Sequence, residues 1–190
     1  MILLSTEHTI ENEIQTLHQL FEAGLTHFHI RKPNYTLQET KAYLDKIDPV
    51  FHPFCVVYYP ELVNEYGLKG IHQTSQNRNS IAKNTKSLST STHSITEFNE
   101  LDSAYHYAFL SPVFPSLSKA NYHNPEILHQ IAQRTNFNTQ LIALGGITEK
   151  NISQLLPHFD SVALLGAIWL HSNPKEQWKK CQNIVHSYSA

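Results

Sequence analysis

Three stretches of this chain constrain its fold most, because each joins a short apolar run to residues suited to an anion. They lie at 28–33, 110–119 and 141–147. Each begins like a buried strand. The first then offers a guanidinium, the second offers hydroxyls with an ammonium, and the third offers a glycine pair. Anion-binding groups after several strands are the usual layout of an α/β-barrel active site. We therefore expect these three ends to share one site.

Eight apolar runs alternate with helix-like segments along the chain. The runs lie at 2–4, 27–31, 54–59, 68–72, 87–91, 105–110, 140–144 and 161–165. The helix-like segments lie at 11–23, 37–47, 60–66, 95–101, 125–135, 150–156 and 174–187. This alternation implies a parallel sheet, and eight such units predict one short (β/α)8 TIM barrel spanning residues 1–190. An open doubly wound sheet is the alternative, and the polar segment 73–86 is expected to be a loop or a very short helix.

Local signals place the ends of several helices. Thr36, Ser94 and Thr148 precede or open three predicted helices, as N-cap residues do. Gly24 follows the apolar stripe of the first helix and is well placed to end it.

Composition excludes several classes of protein. The net charge is -2 with scattered basic residues, which argues against general nucleic-acid binding, and no apolar run approaches a membrane span. The start of the chain turns polar at once, unlike a signal peptide.

Cys55 and Cys181 lie far apart without metal-type spacing, so we expect a reduced cytoplasmic protein. Among 13 histidines, His27 and His29 would share one strand face, but no motif supports a zinc site.

The loop after the sixth apolar run carries three phosphate-binding candidates. Ser116, Ser118 and Lys119 offer hydroxyls and an ammonium that can jointly hold a phosphate or pyrophosphate. The alternative is an ordinary solvated loop.

Two glycine turns follow the last two runs. Gly145 and Gly146 let the backbone approach a ligand and present N–H groups to an anion, and Gly166 begins a similar turn. Phosphate sites recur at strands seven and eight of such barrels. Without a ligand, these glycines would simply form tight strand-to-helix turns.

Side chains at other strand ends complete the candidate site. Arg31 can make bidentate contacts with a phosphate or form a surface ion pair. His93 can orient a ligand or transfer a proton near neutral pH. Alternatively, Ser91 and His93 only hydrogen-bond across the barrel mouth. For His72 we favour a structural role.

The residues at five places resemble the thiamine phosphate synthase family, which includes the thiazole tautomerases. The resemblance covers nearly the whole chain and indicates a divergent branch. Its motifs appear as His-Ile-Arg at 29–31, Gly-Ile-His at 70–72, Ser-Thr-His at 91–93, Ser-Pro-Val-Phe-Pro-Ser-Leu-Ser-Lys at 111–119 and Ala-Leu-Gly-Gly-Ile at 143–147.

The resemblance implies a reaction with two steps. A hydroxymethylpyrimidine pyrophosphate first loses its pyrophosphate with the assistance of Mg²⁺. The nitrogen of a thiazole phosphate then captures the carbocation-like pyrimidine. The catalytic candidates are Arg31, Lys119 and His93. The candidates for substrate and phosphate binding are His29, Ser91, Ser116, Ser118, Lys119, Gly145, Gly146 and Gly166.

The expected metal ligands are altered in this chain. The family holds Mg²⁺ with two aspartates, and the matching positions here carry the pair Tyr58-Tyr59 and Asn77. Asn77 offers a carbonyl oxygen without charge, and a tyrosine is a poor Mg²⁺ ligand. We therefore expect a weakened Mg²⁺ site, with Glu7 as one substitute carboxylate.

Other family positions differ as well. The family lysine after the arginine matches Pro33, and Lys32, displaced by one, would turn away on a regular strand. The phosphate-binding serine after the eighth strand matches Gly166, and Pro112 stands where the tautomerases carry a histidine.

Three interpretations remain open. The first is a synthase of thiamine phosphate, and the second is a non-catalytic binder of thiamine phosphate or thiazole phosphate. The third is a tautomerase-like enzyme with a relocated base, His93 or His29. Each takes phosphorylated small molecules rather than nucleic acid or a membrane as partner, and each leaves a homo-oligomer open.

Overall fold

Eight parallel strands close into a barrel in sequence order in this computed structural model, which describes residues 1–78, 88–115 and 127–189. The strands are β1 Ile2–Leu4, β2 Phe28–His29, β3 Cys55–Val57, β4 Gly70–Gln73, β5 Leu88–Thr92, β6 Tyr107–Leu110, β7 Gln140–Leu144 and β8 Ser161–Leu164. β1 pairs with β8 through Leu3 and Leu164, which closes the ring. The predicted TIM barrel is confirmed, and the open sheet is excluded.

Helices surround the barrel. They are α1 Glu13–Glu22, α2 Leu37–Leu44, α3 Glu61–Tyr66, α4 Ile95–Asn99, α5 Ile127–Gln130, α6 Gly166–Trp169 and α7 Pro174–Ser189. Short 3₁₀ helices lie at Pro49–Phe54, Ser75–Asn77, Ile131–Gln133 and Ile152–Gln154. The helix predicted at 150–156 is thus reduced to three residues. Ser75–Asn77 fits the expectation of a loop or very short helix for 73–86, of which 79–86 lies outside the described residues.

Local chemistry explains several of these boundaries. Thr36 forms a capping box with Glu39, and the Ser94 hydroxyl accepts the Glu97 N–H, so both predicted caps are confirmed. Gly24 follows α1 with a φ of 93°, where other residues would be strained. Thr148 is not the N-cap of Ile152–Gln154; its hydroxyl accepts the Lys150 N–H at 3.3 Å within a local turn.

The core has two layers. A large cluster lies between strands and helices, and a small one fills the barrel interior with Ile2, Leu4, Tyr107, Phe109, Ile142 and Ala163. Close packing around the strands holds their carboxyl ends at one rim. No helix within the described ranges is long and apolar enough to cross a bilayer.

Candidate functional site

A cavity of about 1370 Å³ opens at the carboxyl ends of the strands. We call it the mouth cavity. Residues from the ends of all eight strands or their following loops line it. The site residues that the sequence predicted and that line this cavity are His29, Arg31, Asn77, Ser91, His93, Gly145, Gly146 and Gly166. Ser116, Ser118 and Lys119 lie outside the described residues, so their phosphate-binding role stays a prediction.

Arg31 is a cation accessible from the mouth cavity. β2 ends at His29, earlier than expected, so Arg31 lies in the following loop. Its backbone N–H donates to the Ser5 hydroxyl at 2.8 Å, which anchors that loop to the end of β1. The guanidinium lies 3.8 Å from Glu7, and both side chains are nearly half exposed. Such a loose, solvated pair contributes little and leaves the guanidinium able to bind an anion.

The neighbouring Lys32 also lines the mouth cavity, but its ammonium is buried in an ion pair rather than turned away by strand alternation, since β2 ends before it. Its ammonium lies 2.9 Å from a carboxylate oxygen of Glu13, and both side chains are 1% exposed. The Tyr43 hydroxyl donates to the other Glu13 oxygen at 2.8 Å. Burial raises the pKa of Tyr43, and the Glu13 charge adds to that effect. Sequence reasoning missed Glu13, because only the tertiary structure pairs this helix residue with the loop after β2.

His93 is held in one tautomer across the mouth. Its Nδ1 lies 3.0 Å from the Ser111 carbonyl oxygen, which can only accept. Nδ1 therefore carries the hydrogen, and in the neutral ring Nε2 is the acceptor. The His93 backbone N–H donates to Glu97, whose other carboxylate oxygen pairs with Arg78. Sequence reasoning missed Glu97 and Arg78 as the supports of this histidine.

His72 and two serine hydroxyls form part of the cavity floor. The His72 ring hydrogen-bonds Ser89 through Nδ1 at 2.9 Å and Ser91 through Nε2 at 3.0 Å. Burial lowers the pKa of His72 to about 3, and the Arg31 charge adds to that effect. This floor is therefore neutral, and it supports the structural role favoured for His72.

Two further histidines share one phenol beneath that floor. His27 and His29 approach the Tyr107 hydroxyl through Nε2 at 2.8 Å and 2.6 Å, so they do lie on one strand face. Burial lowers the pKa of His27 to about 3. Burial also lowers the pKa of His29, with the His72 and His27 charges next in effect. The Tyr107 hydroxyl thus engages one ring nitrogen of His29, which also lines the mouth cavity, and a role for His29 as a base stays a prediction.

The glycine pair lies directly under the loop that follows β6. Gly145 and Gly146 have φ of 102° and 62°, where other residues are strained. A Cβ on Gly145 would lie 2.8 Å from that of Pro112, and one on Gly146 would clash with the Pro115 carbonyl oxygen. The Val113 N–H also donates to the Leu144 carbonyl at 3.0 Å. The pair is thus required by the fold, and it also lines the mouth cavity.

The residues present do not fit a Mg²⁺ ion held by two carboxylates. The Asn77 amide donates to the Tyr58 hydroxyl at 2.5 Å, so the two altered positions contact each other. Among described residues, Glu7 is the one carboxylate lining the mouth cavity, and no metal-type cluster of His, Cys, Asp and Glu occurs. A phenol and an amide supply hydrogen bonds rather than the negative charge that this cation favours.

Comparison with known proteins gives a consistent result. Residues 1–168 match the family described as thiamine monophosphate synthase. A thiamine-phosphate synthase of Listeria welshimeri is 28% identical over 172 residues, covering 80% of this chain and 82% of that protein. A thiamine phosphate pyrophosphorylase structure from Bacteroides thetaiotaomicron is 27% identical with a TM-score of 0.78, covering 98% and 97% of the two chains. Another from Pyrococcus furiosus, 15% identical, shares the fold with a TM-score of 0.80 over 100% and 96%.

Proposed function

Because this chain belongs to the thiamine monophosphate synthase family, we propose that it joins hydroxymethylpyrimidine pyrophosphate to thiazole phosphate, forming thiamine phosphate and pyrophosphate. One observation carries the proposal. The mouth cavity brings Arg31, His93 and the turns at Gly145, Gly146 and Gly166 together in a space of about 1370 Å³. Pockets that hold one drug-sized ligand measure about 300–1,000 Å³, so this larger cavity has room for two small heterocycles.

Each group has a distinct role in this reaction. The bond between the pyrimidine methylene carbon and the pyrophosphate oxygen breaks, and the leaving group keeps the electron pair. The thiazole nitrogen then forms a bond with that carbon, so nothing is oxidised or reduced. Arg31 stabilises the charge that develops on the pyrophosphate. The cavity floor formed by His72 and Ser91 is neutral, so it places no positive charge beside the electron-poor pyrimidine.

The thiazole phosphate is assigned to the opposite side of the mouth. Backbone N–H groups of Gly146 and Gly166 would bind its oxygens, together with Ser118 and Lys119 from the loop after β6. His93 would accept a hydrogen bond from substrate through Nε2, since its Nδ1 is engaged by Ser111.

A non-catalytic binder of thiamine phosphate is the second candidate. The hydrogen bond between Tyr58 and Asn77 favours the binder, because these two neutral residues stand in place of the charged ligands that would activate a leaving group. The tautomerase-like alternative would need a relocated base, either His93 or His29.

The proposal also includes a cytoplasmic location and phosphorylated small molecules as ligands. The buried, unpaired thiols of Cys55 and Cys181 support a reducing environment.

The test is incubation of the protein with both substrates, with product measured as thiamine phosphate and released pyrophosphate. We expect product from the unmodified chain and a loss of about tenfold or more in kcat/KM for Lys119→Ala, since a charge-assisted contact is removed. Lys179→Ala, an exposed change on α7, is the control. Binding of thiamine phosphate without any product would replace the synthase with the binder.

A further inference from the structure

Two neutral side chains occupy the place in the mouth where a charged pair would be expected. Tyr58 directly follows β3, and Asn77 ends the short 3₁₀ helix after β4. The strands are adjacent, with Val57 opposite Ile71, so their carboxyl ends bring the two residues together. The Asn77 amide donates to the Tyr58 hydroxyl at 2.5 Å, and Tyr58 is 41% exposed. We call these residues the neutral pair.

The hydrogen-bond direction matters for what the neutral pair can bind. The Tyr58 oxygen accepts from Asn77, so its own O–H hydrogen is directed elsewhere. Accepting one hydrogen bond strengthens a hydroxyl as a donor in the next. An O–H donor at the cavity wall attracts a phosphate oxygen, whereas a carboxylate there would repel it unless a cation lay between them.

The surrounding charges favour direct binding of an anion. Residues 66–96, which include Asn77, contain no aspartate or glutamate, and Glu61 and Glu65 of α3 do not line the mouth cavity. Glu13 is buried against Lys32, so its charge is already compensated. The Glu7 carboxylate lies beside Arg31 at 3.8 Å. The wall that carries the neutral pair therefore presents donors with no negative charge of its own.

We propose that Tyr58, held in place by its hydrogen bond from Asn77, donates a hydrogen bond directly to the pyrophosphate group of the ligand, so that this site binds pyrophosphate without a protein-held divalent cation. The inference rests on the proposed function for the identity of the anion. The inference concerns how the pyrophosphate leaving group is held. Tyr58 and Arg31 contact its oxygens, and the affinity of the site for pyrophosphate does not depend on Mg²⁺.

Calorimetric titration of the full chain with inorganic pyrophosphate tests the inference. We expect binding in EDTA at least as tight as in Mg²⁺, because the free anion is then the species bound. Tyr58→Phe keeps the ring and removes the O–H, and we expect it to weaken binding by about tenfold. Tyr188→Phe, exposed on α7, is the matched control and should bind like the unmodified chain. Thermal melts of both variants check the fold.

A second variant reverses the chemistry. The double change Tyr58→Asp with Asn77→Asp introduces two carboxylates, and we expect its pyrophosphate binding to require Mg²⁺. Electron paramagnetic resonance with Mn²⁺ should show a bound ion in that variant and not in the unmodified chain. The inference is overturned by binding that is lost in EDTA, by a Tyr58→Phe protein that binds normally, or by no pyrophosphate binding at all.

The outcomes separate this inference from the proposed function. Product formation by a protein that binds pyrophosphate only with Mg²⁺ would support the synthase and reject the neutral pair. Absence of product with cation-independent, Tyr58-dependent binding would reject the synthase and retain the neutral pair.

Discussion

Acid should destabilise this barrel through three histidines of its interior, of which His29 is buried and His27 and His72 are half-buried. Burial lowers the pKa of His72 and of His27 to about 3 and also lowers that of His29. The unfolded chain has histidines near 6.5 and therefore binds more protons than the folded chain below that pH. The free energy of unfolding is thus retained above 6.5 and falls as the pH drops from 6.5 towards 3.

The size of the effect follows from linkage. At about pH 5 a histidine that stays neutral in the fold and has an ordinary pKa when unfolded lowers the free energy of unfolding by about 2 kcal/mol. His27 and His72 together then remove about 4 kcal/mol, and His29 adds to that loss. A domain has about 5–15 kcal/mol in total, so the loss is large enough to measure.

Urea unfolding at several values between about pH 7.5 and pH 5 measures this loss. His72→Gln keeps hydrogen-bonding capacity towards Ser89 and Ser91 but cannot titrate, so its loss at about pH 5 should be about 2 kcal/mol smaller. His158→Gln, an exposed change, should follow the unmodified chain. Equal losses in the unmodified and His72→Gln proteins would show that His72 does not contribute to the acid sensitivity.

Four single changes test other parts of the structure. Arg31→Ala should nearly abolish thiamine phosphate formation in steady-state assays and change stability by only about 0.5 kcal/mol; robust turnover would exclude its role with pyrophosphate. Lys32→Ala leaves the Glu13 carboxylate buried without its cation, so urea unfolding should show a loss of about 3–5 kcal/mol, and an unchanged midpoint would contradict the buried pair. Gly146→Ala combines a φ of 62° with a clash against the loop after β6, and thermal melting should reveal a loss of at least about 1–3 kcal/mol. Thr36→Ala removes one N-cap and should cost about 1 kcal/mol by the same method; a neutral result would count against the capping box.

Much of the fold could be predicted from the sequence because its signals are local. Apolar runs alternating with helical segments were sufficient for the eight-stranded barrel. Thr36, Ser94 and Gly24 marked helix ends because capping involves residues a few positions apart. The motifs around Arg31 and Gly145 indicated the family for a similar reason, since each is a short contiguous segment.

The chemistry of the mouth depended on contacts between distant residues. Lys32 pairs with Glu13, and His93 takes its tautomer from Ser111, each across elements that only the closed barrel brings together. The sequence identified the neutral residues at Tyr58 and Asn77, but not that they contact each other.

The alternation of apolar runs and helical segments was thus sufficient to predict the barrel and the end that carries the candidate site, since strand direction places every loop of that end on one rim. Which polar groups at that end are already paired depends on contacts that form only in the closed barrel. Arg31 is left accessible and Lys32 is not, because closure of the barrel places Glu13 against one cation and leaves the other in solvent.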